Sequence, residues 1–399
     1  FLFSKIFIMF LISAIQSIFY VIVGNSVLGI EGMTFIYWMI LFSVSCFANL
    51  LGLNISATFN SVKVIYILIP ILIIPQLLFS GILVQFDKLN PVFSSKSHVP
   101  WIGNVMASRW AYEALAVTQF KDNEYEKCFY EYNKELKFSN WKKDNWVSNL
   151  DAKLENINSF VNSENQNPEK KISIEKSIHI LKNELEKENR HSKEVKVTEE
   201  TLSKLTFNKF NQESYDEIKK YLTIVKELYK RKYNAFEKKK VRLENTFMDP
   251  SIEYIGLLDK AKSENKIDSI QHKKLGKFMK NLKKVSFKQF KYKYKNKALE
   301  DFVTNANSLD HTDENNNYII QKSYPIYLDP YDNDYLKAHF YAPKKKIFGT
   351  YFDTFTANVA VIWSMTILLI ITLYMNAFKK TLDLFGRLGG SIPSFKKKK

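Results

Sequence analysis

Charged side chains are missing from four long stretches of the 399-residue sequence: residues 6–30, 32–62, 64–86 and 354–378 contain no Asp, Glu, Lys or Arg. A soluble core does not need such runs, whereas a hydrocarbon layer of about 30 Å needs roughly 20 apolar residues per helix. A wholly soluble protein is therefore excluded. Cysteine is scarce as well. Cys46 lies in an apolar run and Cys128 in a polar one, so neither a disulfide between them nor CxxC chemistry is expected. Catalytic signatures are missing too. The sequence has no GxxxxGKS/T loop to cradle nucleotide phosphates, no HExxH or zinc-like spacing among its six scattered histidines, and no GxSxG elbow. Asp329, Asp332 and Asp334 lack the glycine and distal glutamate of a calcium loop and read as a solvated turn. No catalytic, cofactor-binding or metal-binding residue is expected. The first apolar run has only Lys5 before it and no small-residue cleavage site after it, which argues against a signal peptide. The chain opens on Phe1, already inside that run, which suggests that an N-terminal part precedes it.

What is present is four apolar segments, at about 5–25, 34–57, 64–86 and 354–377, around a long polar region. Their flanks fix a direction. The loop between the first two has one acid, Glu31, and no base; the next loop carries Lys63; the C-terminal tail carries Lys379, Lys380, Arg387 and Lys396–Lys399. The positive-inside rule places Lys5, Lys63 and the tail in the cytoplasm, which puts residues 87–350 on the extracytoplasmic side of the inner membrane. Four alternating spans are consistent with that. The net charge is +17, but the long region mixes both signs along helical stretches. That favours a solvated surface over a nucleic-acid-binding face.

Four amides sit inside the apolar segments: Gln16, Asn49, Asn54 and Gln76. An unpaired amide in hydrocarbon is costly, so each should face another helix or a wet cavity. They read either as glue between helices or as the lining of a path. Pro70 and Pro75 each remove a backbone donor and predict a kinked or locally opened third span, with Gly81 at its outer end.

The polar region divides in two. Residues 87–135 are aromatic-rich, and Asn104–Phe120 carries only two charges, Arg109 and Glu113, four apart on one helix face. This predicts a short helix on or dipping into the outer membrane face, or else a buried helix of the outer domain. Residues 136–310 are rich in Lys, Glu and Asn. Ile174, Ile178, Leu181 and Leu185 form one helical stripe, and Ile218, Leu222, Val225, Tyr229 and Phe236 another. Residues 190–212 and 300–318 read as loops. The expectation is an all-α membrane protein: a transmembrane bundle with four spans and a large helical extracytoplasmic insert. Its parts are 1–86 (three spans), 87–135 (membrane-proximal outer helices), 136–339 (insert), 340–378 (last span and its lead-in) and 379–399 (basic cytoplasmic tail).

One stretch is more specific. Residues 70–120 run from PILIIPQLLFSGILVQFDKLNP to HVPWIGNVMASRWAYEALAVTQF. This resembles the end of the permease domain of ABC-2 type transporters, in particular the ABCG-like (white/pleiotropic drug resistance) branch. Pro75, Phe79, Ser80 and Gly81 match a proline-containing fifth span with its closing element. Pro100, Trp101, Ser108, Arg109, Tyr112, Glu113, Ala114, Leu115 and Phe120 match the outer helices that follow. APKKKIFGTYFDTFTANVAVIW looks like the entry to the sixth span. The resemblance covers about 1–135 and 340–390, and leaves 136–339 as an enlargement of a normally short outer loop.

The resemblance implies the permease half of an ATP-driven exporter. A nucleotide-binding domain, on the same polypeptide or a separate chain, would supply ATP and Mg, and a second permease domain would complete a homodimer in the lipid bilayer. It makes Pro70, Pro75, Gln76 and Phe79 candidates for the cavity wall, with Leu77, Leu78 and Phe79 as an apolar plug; Gly81 and Asn49 complete the translocation-path set. Pro100, Trp101, Arg109, Tyr112, Glu113 and Phe120 form the outer-helix motif, in which Arg109–Glu113 is expected to pin the helix. Two other readings remain open. One is a membrane-anchored binding or scaffold protein; the other is an ABC-type mechanotransmission protein that transports nothing.

Overall fold

The computed structural model describes residues 2–59, 61–84, 86, 89, 98–163, 168–192, 194–248, 287–308, 310–330, 338–347 and 349–389. Asp332, Asp334 and the Lys396–Lys399 run lie outside them. The chain divides into two compact units, residues 1–119 with 330–399 and residues 120–329.

In the first unit the uncharged runs form helices, the conformation that satisfies every backbone donor and acceptor within the segment when no water is at hand. They are α1 (Leu2–Leu28), α2 (Thr34–Thr58) and α3 (Val62–Leu78), followed by two further helices, α4 (Trp101–Asn104) and α5 (Ala107–Lys121). Among the described residues, three helices of 18 residues or more are apolar enough to cross a membrane: α1, α2 and the later Thr354–Tyr374 helix. The other expected span, the third, forms a shorter apolar helix, α3. The third apolar segment yields a helix of 17 residues, about 25 Å at 1.5 Å per residue. It does not break at Pro70 or Pro75, which both lie inside it. It ends because Ser80 turns its hydroxyl back onto the Leu77 carbonyl at 2.7 Å and Gly81 takes φ +84. A Cβ on Gly81 would stand 2.6 Å from the Phe340 ring and 2.8 Å from the Phe86 ring, so glycine is required twice over, by backbone and by space.

Helices α1 and α2 run antiparallel. Ile6 packs in one cluster with Leu50, the Asn49 amide donates to Ser13 Oγ at 2.6 Å, and the Trp38 indole donates to the Ala14 carbonyl at 3.1 Å. The polar residues here act as interhelical glue. Asn54 does the same towards the last long helix, donating to the Leu369 carbonyl at 3.0 Å, whereas Gln16 is exposed.

The second unit is built on α6 (Glu126–Trp141), a single π-helical turn (Lys142–Trp146) and α7 (Val147–Val161), which follow one another without a break. Packed with them are α8 (Pro168–His191), α9 (Glu199–Lys204) and α10 (Gln212–Met248), then α11 (Phe287–Tyr294) and α12 (Lys297–Thr304). Both apolar stripes converge, save Phe236, which is half-buried outside this core: Ile174, Ile178, Leu181 and Leu185 of α8 meet Ile218, Leu222, Val225 and Tyr229 of α10 in one core with Trp146, Leu150, Leu154 and Ile157. The core holds a buried polar centre. Lys142 pairs with Glu188 at 2.7 Å, Tyr229 donates to the other Glu188 oxygen at 2.6 Å, and Trp146 donates to Glu184 at 2.6 Å.

Two expected loops are corrected. Residues 190–212 contain α9, capped by Thr198 Oγ1 accepting from the Thr201 amide. Residues 300–318 contain most of α12 and the first strand and turn of an antiparallel hairpin, β1 (Thr312–Asn315) with β2 (Tyr318–Gln321), turned by Asn316 and Asn317 at φ 48 and 59. An Asn-Asn pair at positive φ makes the primed turn that matches strand twist. A second hairpin, β3 (Lys344–Ile347) with β4 (Thr350–Asp353), leads into α13 (Thr354–Tyr374) and then α14 (Ala377–Gly389) in the first unit. Helix α13 lies parallel to α2, with Ile40 against Val359 and Ile362 near one end and Leu50 against Leu369 and Leu373 near the other.

Candidate functional site

The densest chemistry of the first unit lies at the end of the bundle where α2 and α13 begin. Helix α5 lies there because nearly all of its surface is apolar or small; Trp110, Ala111 and Ala114 pack on Ile40, Val359 and Ile362. Two of its three charges are buried, Arg109 at 1 % exposure and Glu113 at 0 %. Their i, i+4 spacing puts Arg109 Nη2 3.4 Å from Glu113 Oε2. Three partners come from far along the chain. Lys345 of β3 reaches Glu113 Oε1 at 2.7 Å, and the Asn358 amide of α13 donates to Glu113 Oε2 at 2.9 Å and to the Trp110 carbonyl at 2.9 Å. The Tyr341 backbone N–H donates to Glu113 Oε1 at 3.1 Å.

One carboxylate therefore serves two buried cations and two neutral donors. Burial pushes the Glu113 carboxyl up, but the Arg109 and Lys345 charges and the bonds from Lys345 and Asn358 outweigh it and hold the group below its ordinary range. Burial, reinforced by Arg109, pushes Lys345 down to about 8 against the pull of Glu113. Burial lowers Arg109 too, while Glu113 opposes this; its guanidinium stacks 3.9 Å from the Trp110 ring centroid. Among the described residues, Arg109 Nε and Nη1 have no hydrogen-bond partner.

Helix α5 is also tied to the other apolar helices. Tyr37 of α2 donates to Gln119 at 2.6 Å. The Ser108 amide donates to Gln76 Oε1 of α3 at 3.2 Å, and the Ser108 hydroxyl donates to the Gln76 carbonyl. A single helix thus contacts α2, α3 and α13 at one end of the bundle. The arrangement is a junction of helices built around a desolvated charge cluster.

The expected residues fall in three places. Arg109 and Glu113 are at the centre of the junction, and Tyr112 stands beside it, its hydroxyl 3.2 Å from that of Tyr341. Pro100 is the buried residue before α4, Trp101 is 68 % exposed, and Phe120 packs on Tyr327 in the second unit. The path candidates do not converge within one chain. Helix α3 buries no residue; Pro70, Leu77 and Leu78 are exposed, Pro75, Gln76 and Phe79 half-buried, and Gly81 buried against Phe340. Asn49 bonds to α1 instead. Lys345, Tyr341 and Asn358 were missed by sequence reasoning. An amide in the first turns of an otherwise uncharged span, and a lysine in the run leading to it, were the available signals. Asp329 pairs with Lys134 at 2.6 Å, and no metal-holding group occurs among the described residues.

Residues 1–120 match the family model of the ABC-2 type transporter. This ABC-2 region spans α1 to the penultimate residue of α5 and so includes the Arg109 and Glu113 half of the junction; Lys345 and Asn358 lie beyond it. With its long apolar helices, the chain is an integral membrane protein whose residues 1–120 are similar to the ABC-2 type transporter family. No curated protein and no solved structure matches the chain.

Proposed function

We propose that the chain is the permease portion of an ATP-driven, ABCG-like exporter, forming half of a translocation path. Its power comes from an ATP-binding cassette on another part of the polypeptide or on a separate chain, to which ATP and Mg bind. The observation that carries this reading is the ABC-2 match over residues 1–120 on a bundle whose third apolar helix has no fully buried residue within its own chain. An apolar helix so largely exposed is suited to face lipid and a second permease domain, which supports a homodimer with α3, and its Leu77, Leu78 and Phe79, at the centre. In the membrane, the charge flanks support a cytoplasmic C-terminus and an extracytoplasmic placement of residues 87–350 in the cytoplasmic membrane. The buried junction on α5 then relays motion between α3 and α13.

The test is purification of the native protein in mild detergent. The expected result is a complex with two copies of this chain that hydrolyses ATP, with turnover altered by Arg109→Ala. A pure, folded preparation with no ATP-hydrolysing component overturns the proposal. A second reading is favoured by one feature: the 120–329 unit has its own large apolar core and buried polar centre. Under it the ATP-driven spans work this unit on an envelope partner, and nothing is transported. ATP turnover with no cargo moved in sealed vesicles would decide for it.

A further inference from the structure

Helix α14 is not accounted for by the junction or by transport. Two residues separate it from the end of α13. Asn376 takes φ 49, a left-handed conformation that asparagine tolerates and that stops a helix, and its carbonyl accepts the Lys380 amide at 3.1 Å to begin the next one. Thirteen residues make about 20 Å of helix, too short to cross hydrocarbon. At 100° per residue, Ala377, Phe378, Leu382 and Leu384 fall in one arc and Lys379, Lys380 and Asp383 in the opposite one. Phe378, Leu382 and Leu384 are 41 %, 45 % and 57 % exposed, although α14 touches both α13 and α2.

The position of α14 narrows what can cover that apolar arc. Because α1 is antiparallel to α2 and α2 parallel to α13, the start of α1, the ends of α2 and α13 and the start of α3 share one end of the bundle. Lys5, Lys63, Lys379 and Lys380 all belong to this end, with Arg387 and Lys396–Lys399 further along the sequence and Asp383 the single acid after α13. Glu31 and Asp353 belong to the other end. An amphipathic, basic helix held at the bilayer boundary by the span before it meets the surface of that bilayer first.

We infer that α14 is an interfacial helix that binds anionic phospholipid headgroups. Its Phe378–Leu382–Leu384 arc enters the headgroup–acyl boundary, and Lys379 and Lys380 engage headgroup phosphates. The helix thereby senses the charge of the membrane in which the spans sit.

Backbone hydrogen exchange of residues 377–389, measured by mass spectrometry on the full chain in nanodiscs, tests this. One set of nanodiscs is phosphatidylcholine and the other an equimolar mixture with phosphatidylglycerol. Exchange is expected to be slower by about tenfold or more in the anionic discs, to recover in high salt, and to lose about fivefold of protection for each lysine removed in Lys379→Gln/Lys380→Gln. Peptides from α2 and α13 report that each variant is folded. Equal exchange in the two lipids, or full protection of the double variant, overturns the inference. So does equal protection by inorganic phosphate in neutral discs, which would assign the site to a free anion.

Discussion

Replacing Glu113 by glutamine keeps the shape of the side chain and removes the one negative charge in the junction. In the native arrangement the two oxygens receive Lys345 at 2.7 Å, the Tyr341 N–H at 3.1 Å, the Asn358 amide at 2.9 Å and Arg109 at 3.4 Å. A glutamine offers one acceptor to these four donors and turns an NH2 on the rest. Arg109 and Lys345, exposed by 1 % and 5 %, then face each other in a desolvated site with no counter-charge. Removing one partner of a buried pair costs about 3–5 kcal/mol. At about 2–4 °C per kcal/mol for a unit of this size, the melting temperature should fall by roughly 10 °C. Thermal unfolding of the detergent-solubilised protein measures this. The triple variant Arg109→Gln/Glu113→Gln/Lys345→Gln strands no charge and should regain more than half of the loss, since the neighbours are coupled. A drop of under 2 °C for Glu113→Gln, or a triple variant no better than the single one, would refute the idea that an unbalanced buried charge sets the cost.

Lys345 gives a pH signature. It is charged in both folded and unfolded chains below about 8, and in the unfolded chain alone between about 8 and 10.5. The unfolded state binds more protons in that window, so stability should rise with pH there, by up to about 3 kcal/mol; Lys345→Met should flatten the slope in melts at pH 7 to 10. Gly81→Ala, with φ +84 and the Phe340 ring in the way, should cost about 1–3 kcal/mol, and a melting temperature unchanged within error would contradict the close approach. In the 120–329 unit, burial lowers the Lys142 pKa while Glu188 opposes it. Lys142→Met strands the Glu188 carboxylate and should cost about 3 kcal/mol, read as faster hydrogen exchange in α6 and α8; unaltered exchange would count against the pair.

What the sequence made legible was whatever depends on local pattern. The absence of charge announced α1, α2 and α13, and the apolar spacing in α8 and α10 predicted the faces that meet around Leu181 and Leu222. Arg109 and Glu113 were readable as a pair because a helix fixes residues four apart. Lys345 and Asn358 were not, since they meet Glu113 across 232 and 245 residues of chain and nothing local marks them. The end of α3 was misjudged for a related reason. Composition alone carries the apolar run on to residue 86, but the chain stops being helical where Gly81 admits the ring of Phe340 from 259 positions away. The β1–β2 hairpin was missed because its strands are only four residues long and their signal, the Asn316–Asn317 turn, is buried in an asparagine-rich stretch.

The contacts of α5 also differ in strength, and the difference decides which helix is free to move. Towards α13 the link is a desolvated carboxylate with the Asn358 amide, which also holds the Trp110 carbonyl; breaking it leaves buried charge exposed to nothing and costs several kcal/mol. Towards α3 it consists of two hydrogen bonds between Gln76 and Ser108, each worth about 1 kcal/mol net, on a helix that buries no side chain. If the bundle changes shape, α3 should part from α5 long before α5 parts from α13. Gln76→Leu removes the side-chain bond to the Ser108 amide and leaves the charge cluster alone. It should therefore lower the melting temperature by no more than about 3 °C, yet speed hydrogen exchange at the end of α3 several-fold while α5 and α13 stay protected. If exchange in α13 rises together with that in α3, the two move as one body and the weak link has been assigned to the wrong side of α5.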